Sequence, residues 1–354
     1  FKHKNSESKH FIIDKGVRQG DSLSSTLFNI FINDLSQIFE KPNSTPVKLI
    51  NSDIGSLLFA DDLIILSESE NGLQNSLNNL SEYCDKWQLT VNTKKSKTMI
   101  LQNNPSKINK SFLKFKGKYL DKVYEYKYLG CVITSNGSLT SCSSDLAKKA
   151  RKVLFAINSY SSGFGQLPVR VSCNLFETLV KPILTYNSEI CYMDTYIQFY
   201  RAKLRANKNS STPDAIHFID KTVLEKTQLH FMKQVLGTKR SSTNLAVRNE
   251  LGLLPLETFI KTQTMMYLSR LNNENLNPLL NEAFKLTKSL DTKGTYSWYT
   301  FAKNVSQDIN IDIKLIEETK TLKQTKMLKP QLKKKPDDIP KYHEMKENVK
   351  YVIS

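Results

Sequence analysis

Long apolar runs are missing from this 354-residue chain. Nowhere do about eighteen uncharged apolar residues follow one another, and no signal-peptide pattern opens the sequence, so no stretch reads as a membrane span or an export signal. Acidic residues are scarce beside basic ones, 34 Asp and Glu against 51 Lys and Arg, which leaves a formal net charge of +17 and a sequence pI near 9.4. Such a charge attracts either nucleic acid or an acidic membrane surface, and the lack of any span favours nucleic acid. Cysteines are few. Cys84, Cys131, Cys142, Cys173 and Cys191 are odd in number, widely scattered and without a Cys-x-x-Cys pair. They read as reduced intracellular thiols, with nucleus and cytoplasm both open as compartments. His217 and His230 lie too far from any cysteine in sequence to suggest a zinc knuckle. No internal repeat is present, and the length leaves room for two or three domains.

The chain is organised around Leu57-Leu58-Phe59-Ala60-Asp61-Asp62-Leu63-Ile64-Ile65-Leu66. Two aliphatic, β-branched runs flank an Ala-Asp-Asp corner, the pattern of a β-hairpin buried on at least one face with two carboxylates at its tip. Side chains alternate along a strand, so only the bend lets Asp61 and Asp62 approach one locus. Like charges that close raise one pKa or recruit a cation. No Arg or Lys lies between Ile54 and Asp85, so a divalent metal is the local candidate. Hard oxygen ligands suit magnesium and phosphoryl transfer. Taken alone, an Asp-Asp pair is more readily a solvated turn.

Other stretches add chemistry. Gly16 and Gly20 bracket Val17-Arg18-Gln19, a backbone free to bend sharply, and Ser22 or Ser24 offers a cap to a helix with Leu23, Leu27, Ile30, Phe31, Leu35 and Ile38 on its apolar face. A second helix, from about Glu70 to Trp87, repeats Leu73, Leu77, Leu80, Cys84 and Trp87 and reads as core. The turn Asn92-Thr93-Lys94-Lys95 is loaded with cations, and strands follow between Phe112 and Thr134. Beyond Asn136-Gly137 the pattern becomes helical, with Leu146, Ala150, Val153, Leu154 and Ile157 on one face. Lys148, Lys149, Arg151 and Lys152 crowd the others, as a phosphate-binding face or a merely solvated one.

Taken in order, Arg18-Gln19-Gly20, Ala60-Asp61-Asp62, Asn92 to Lys95 and Tyr128-Leu129-Gly130 resemble the palm of a reverse transcriptase of the non-LTR (LINE-type) retrotransposon family. Lys181-Pro182-Ile183-Leu184-Thr185-Tyr186 and Glu250 to Leu256 resemble segments that follow the polymerase domain there. The resemblance implies an α+β fold: a partial palm of antiparallel sheet with helices on one face over 1–135, a thumb-like all-α domain over 136–201, a linker at 202–213, a helical C-terminal region over 214–290 and a basic, weakly structured tail over 291–354. It implies an RNA-directed DNA polymerase acting on an RNA template, a DNA primer or duplex and deoxynucleoside triphosphates, through two magnesium ions about 3.5–4 Å apart in the complete site. Asp61 would be the principal ligand and Asp62 the auxiliary one. Arg18, Gln19, Gly20, Phe59, Ala60 and Lys95 would form the nucleotide pocket, and Tyr128, Leu129 and Gly130 the primer grip. Lys148, Lys149, Arg151 and Lys152 would line the duplex. In this family an earlier palm strand carries another metal-binding Asp. Its absence before Phe11 leads to the expectation of background extension by this chain, or of a non-catalytic nucleic-acid-binding remnant as the alternative.

Overall fold

The computed structural model describes residues 2–3, 6–7, 16–18, 20–102, 112–162, 167–198, 201, 220–272 and 277–317. The fold is α+β, with short strand pairs gathered towards the N-terminus and helices after residue 140. It divides into two units, Phe1–Thr98 with Asn109–Lys122, and Met99–Ile108 with Val123–Ser354.

In the first unit, strands β1 (Lys2–His3) and β2 (Ser6–Glu7) pair antiparallel, and helix α1 (Ser24–Phe31) follows the Gly20 turn. Neither serine caps α1 with an accepted bond. Asp21 Oδ1 accepts from Leu23 N at 3.0 Å, and the Ser24 hydroxyl donates to Arg18 O. The apolar face expected for α1 also differs. The helix ends at Phe31, and a 3-10 turn over Leu35–Phe39 takes up the chain, because Asp34 is drawn to Tyr83, whose hydroxyl donates to it at 2.6 Å. Ile32, Leu35 and Phe39 are buried, while Leu23, Leu27 and Ile30 are exposed.

Strands β3 (Val47–Lys48) and β4 (Asp53–Ile54) pair antiparallel, as do β5 (Ser56–Phe59) and β6 (Asp62–Ile65). Helix α2 (Glu70–Trp87) is the unit's spine, with Ser69 accepting from Gly72 N at 3.0 Å as its cap. Leu77, Leu80 and Cys84 are buried as the period requires, with Leu73 and Trp87 partly so. Full burial of such a leucine contributes about 1.5–3 kcal/mol. Gly72 is needed where it is, since a Cβ would run into Thr45 Oγ1 and stand 2.7 Å from Ser44 O. The small strands β7 (Lys97–Thr98), β8 (Lys114–Phe115), β9 (Lys118–Tyr119) and β10 (Asp121–Lys122) complete the unit, with β8 paired to β9 and β10 running parallel to β7.

The second unit opens with the hairpin β11 (Glu125–Tyr128) and β12 (Cys131–Thr134), then α3 (Thr140–Ser162), the helix expected beyond Asn136-Gly137. Helix α4 (Val169–Leu175) runs through a π-turn at Phe176–Val180 into α5 (Lys181–Leu184). The π-turn precedes Pro182, which has no N–H to give to an ordinary helical bond. After α6 (Ser188–Cys191) and a further helical stretch at 193–198, the core is built by α7 (Val223–Val235), α8 (Asn244–Leu251), α9 (Leu256–Leu271), α10 (Pro278–Thr292), α11 (Trp298–Asp308) and α12 (Ile313–Glu317). Phe176 stacks on Phe231 at 4.4 Å between ring centres. Arg248 bonds both Asp220, at 2.9 Å, and Glu225, at 2.8 Å, and Glu225 also accepts from Glu257 N at 3.0 Å.

The expectation of a weakly structured tail from 291 is corrected as far as residue 317. Ser297 and Thr300 form a capping box, and Phe301, Ala302 and Val305 are fully buried, an i, i+1, i+4 set that faces the core. The lysine-rich remainder of that tail, and the expected linker at 202–213, lie outside the described residues.

Candidate active site and nucleic-acid face

The Asp-Asp corner is a hairpin tip. Phe59 pairs with Asp62 across the last rung, leaving Ala60 and Asp61 as the two-residue turn. Ala60 takes a left-handed φ of +51°, where a small side chain lowers the steric cost. The base of the hairpin is fixed. Leu66 N donates to Gly55 O at 2.8 Å, Gly55 sits against the Phe39 backbone, and Leu63 and Ile65 pack on the α2 core. The tip stands in solvent, with Phe59, Ala60, Asp61 and Asp62 all exposed. The expected burial on one face is not met: Leu63, Ile64 and Ile65 of β6 are all only partly buried, and Leu57, Leu58 and Phe59 of β5 are exposed. Among the described residues, neither aspartate forms an ion pair, and no third His, Cys, Asp or Glu joins them in a cluster that could hold a metal ion. Their oxygens are hard, accessible ligands, a donor set that fits magnesium.

Arg18 and Gly20 are exposed on the turn before α1, with Gly20 at a φ of +91°, and Gln19 lies outside the described residues. Lys95 is exposed on a turn tied by Asn92, whose carbonyl accepts from Lys95 N at 3.1 Å and whose side chain accepts from it at 3.2 Å. The asparagine shapes the turn that presents the lysine.

In the second unit, Leu129 and Gly130 are the two turn residues between β11 and β12, both left-handed, at φ +46° and +81°. This is the type I′ geometry that suits hairpin twist, although leucine is a costly occupant of it. Tyr186 holds the turn. Its hydroxyl donates to Leu129 O at 2.8 Å, and its ring would stand 3.1 Å from a Cβ placed on Gly130. Thus Tyr128-Leu129-Gly130 and Lys181-to-Tyr186, motifs far apart in sequence, meet here. Beside them lies a cleft of about 860 Å³, lined among others by Tyr128, Leu129, Lys181, Tyr186 and Phe259.

Helix α3 buries Leu146, Ala147, Ala150 and Leu154 and turns Lys148, Arg151, Lys152 and Phe155 outward. Lys149 is placed differently from the other three. It pairs with Asp145 at 3.1 Å, and Asp145 also meets Lys127 at 2.8 Å. The Lys127 ammonium holds the Asp145 carboxyl below the usual carboxylate range. Phe155, three quarters exposed among cations, was not singled out by periodicity, although a large aromatic on the polar face of a basic helix is a readable sign of base stacking. Sequence spacing also missed a meeting of Cys131, Cys142 and Cys191, whose sulfurs lie within 4.8 Å of one another.

With this geometry in place, comparison with known proteins shows what the chain is similar to. Residues 1–133 match the family described as reverse transcriptase (RNA-dependent DNA polymerase). A retrovirus-related Pol polyprotein from a type-1 retrotransposable element of Nasonia vitripennis is 33% identical over 137 residues, 35% of this chain and 13% of that protein. The RNA-directed DNA polymerase from mobile element jockey of Drosophila melanogaster is 22% identical over 185 residues, 50% of this chain and 19% of that protein. A probable RNA-directed DNA polymerase from transposon BS of the same fly is 22% identical over 263 residues, 71% of this chain and 28% of that protein. The chain spans less than a third of the length of each of these relatives. Residues 1–133 are thus similar to reverse transcriptases, and the chain's similarity to known proteins is to the polymerases and Pol polyproteins of retrotransposable elements.

Proposed function

We propose that the chain carries a nucleotidyl-transfer centre and part of the nucleic-acid track of an RNA-directed DNA polymerase, working on an RNA template, a DNA primer and deoxynucleoside triphosphates. One observation carries this reading: two adjacent, solvent-open carboxylates stand on a rigidly based hairpin tip inside the segment that matches the family. Asp61 and Asp62 hold and orient the magnesium, Asp61 as principal ligand. Bound there, with two ions in the complete site, the metal supplies Lewis acidity to the phosphoryl oxygens and acidifies the primer hydroxyl. Ala60 and Phe59 lie under the sugar, and Ala60 qualifies by being small. Arg18 offers a planar fork to phosphate oxygens, and Gln19 with Gly20 lines the base pocket. Lys95 stabilises the departing pyrophosphate. The first unit acts as a partial palm and α3 as a thumb-like helix, with Tyr128, Leu129 and Gly130 as primer grip.

A second reading, nucleic-acid binding without chemistry, is favoured by the want of a third ligand beside Asp61 and Asp62 among the described residues. Both are tested by magnesium-dependent extension of a DNA primer on an RNA template by the longest natural product that contains this sequence. Asp61→Asn should reduce extension to background and leave primer–template binding unchanged. Extension at the unaltered rate in the variant removes the hairpin from the mechanism. Binding by both proteins with extension by neither selects the second reading.

A further inference from the structure

Three cysteines far apart in sequence meet inside the second unit. Cys131 opens β12, Cys142 sits in the first turn of α3 and Cys191 ends α6. The Cys131 sulfur lies 3.5 Å from that of Cys142 and 3.2 Å from that of Cys191, and none of the three is in a disulfide. Cys142 and Cys191 are buried, at 0% and 1% exposure, while Cys131 is half-buried and forms part of the wall of the 860 Å³ cleft. Nitrogen donors face this sulfur cluster. Asn187 Nδ2 donates to Cys191 Sγ at 3.6 Å, and the Val132 backbone N–H donates to the Cys142 sulfur. The first turn of α3 adds the positive end of a helix dipole. Neutral thiols have little use for such donors, whereas thiolates bound to a metal are regularly held by them.

We propose that Cys131, Cys142 and Cys191 form a thiolate site for one zinc ion, which ties the Leu129-Gly130 turn to α3 and α6. Thiolate ligands select soft or borderline ions, chiefly zinc and cuprous copper. Residual charge decides between them. Three thiolates leave one negative charge around a divalent ion and two around a monovalent one, and in a buried site the smaller charge costs less. Zinc–sulfur bonds of about 2.3 Å set sulfurs about 3.8 Å apart in a tetrahedron, so the Cys131 sulfur, 3.5 Å from that of Cys142 and 3.2 Å from that of Cys191, draws away from both by about half an ångström or less. A water would supply the fourth ligand, Cys131 lying on the wall of the cleft. Binding exchanges three S–H bonds for three Zn–S bonds and releases the protons to solvent, and no electron moves, so no oxidant is needed.

The test uses the full, reduced chain in oxygen-free buffer with zinc alone. One equivalent should survive dialysis, and cobalt should give a thiolate-to-metal charge-transfer band in its place. Cys131→Ser, at the half-exposed position, should weaken zinc binding by more than about 100-fold, beyond the span of outer-shell losses. Cys84→Ser and Cys173→Ser should leave it unchanged. Should the serine variant fail to fold, alkylation of the unaltered chain decides: zinc should shield Cys131, the partly exposed member of the three, and leave the labelling of Cys173 as it was. No retained zinc, an undiminished equivalent in folded Cys131→Ser, or labelling of Cys131 indifferent to zinc would each overturn the site.

Discussion

Neutralising the outward cations of α3 separates a phosphate-binding face from a solvated one. Lys148, Arg151 and Lys152 are exposed and form no ion pair among the described residues, whereas Lys149 is drawn to Asp145 at 3.1 Å. Each phosphate contact contributes roughly 0.7 to the slope of log affinity against log salt on a single strand and 0.9 on a duplex, so changing the three to glutamine should flatten that slope by about 2–3 units. Lys149→Gln should change it by well under one unit, because its charge is already partly spent on a carboxylate. Phe155→Ala should act otherwise. Losing a stacked base costs about 1–3 kcal/mol, and it lowers affinity at every salt concentration without altering the slope. Fluorescence anisotropy of a labelled primer–template with a single-stranded overhang, titrated with the full chain across a salt series, reads both effects. Sequence preference should stay flat, since phosphate contacts carry no base information. An unchanged slope in the triple variant, or a Lys149 effect as large as the other three together, would refute the assignment of this face.

Two further expectations concern the second unit. Gly130→Ala should destabilise it by about 1–2 kcal/mol from the left-handed backbone alone, with crowding against Tyr186 added, whereas Tyr186→Phe should cost only about 0.5–1 kcal/mol for one half-exposed hydrogen bond; urea unfolding of the two variants checks the order. Burial pushes the Glu225 carboxyl up from its ordinary 4.5 to about 7, against the pull of Arg248. The folded state then binds more protons than the unfolded one between those values. This group's contribution is therefore full below about pH 4.5 and is lost as pH rises through 7. Unfolding free energies measured across that window should fall more steeply for the unaltered chain than for Glu225→Gln, and parallel curves would remove Glu225 as the cause.

What could be read from residues alone followed the range of the forces involved. The Ala-Asp-Asp hairpin was legible because its signals are local: two β-branched runs, a short turn and a pattern that closes on itself between Ser56 and Ile65. Helix α2 was legible for the same reason, its period being matched by the burial of Leu77, Leu80 and Cys84. Helix α1 was not, since an apolar period shows where a helix prefers to bury itself but not whether a neighbour stands there. Leu23, Leu27 and Ile30 keep their spacing and face solvent, while the pull of Tyr83 on Asp34 rotates burial onto Ile32, Leu35 and Phe39. The helices beyond residue 291 were within reach. Ser297 and Thr300 mark a helix start, and Phe301, Ala302 and Val305 mark a face, but the lysine-rich stretch after them drew the whole segment into one tail. The sulfur cluster was beyond reach, because Cys131, Cys142 and Cys191 share no motif spacing and meet only through the packing of β12, α3 and α6.

The Tyr128-Leu129-Gly130 turn shows how the structure redistributes the weight of a motif. Read along the chain, a glycine beside an aromatic suggests a place where a sugar-phosphate backbone comes close. In the fold, the approach at Gly130 is made by the Tyr186 ring, and the left-handed φ of +81° already demands glycine. The residue is therefore required for the hairpin to exist at all, with or without a nucleic acid, and its presence says little about binding. Leu129 says more. It is exposed and holds a backbone conformation that disfavours its own side chain, while its carbonyl is fixed by Tyr186. An apolar side chain displayed on a strained turn tip beside the cleft fits the proposed contact with the apolar edge of a sugar. The primer-grip role proposed for this turn would therefore rest on Leu129 and Tyr128, with Gly130 and Tyr186 as the frame that presents them.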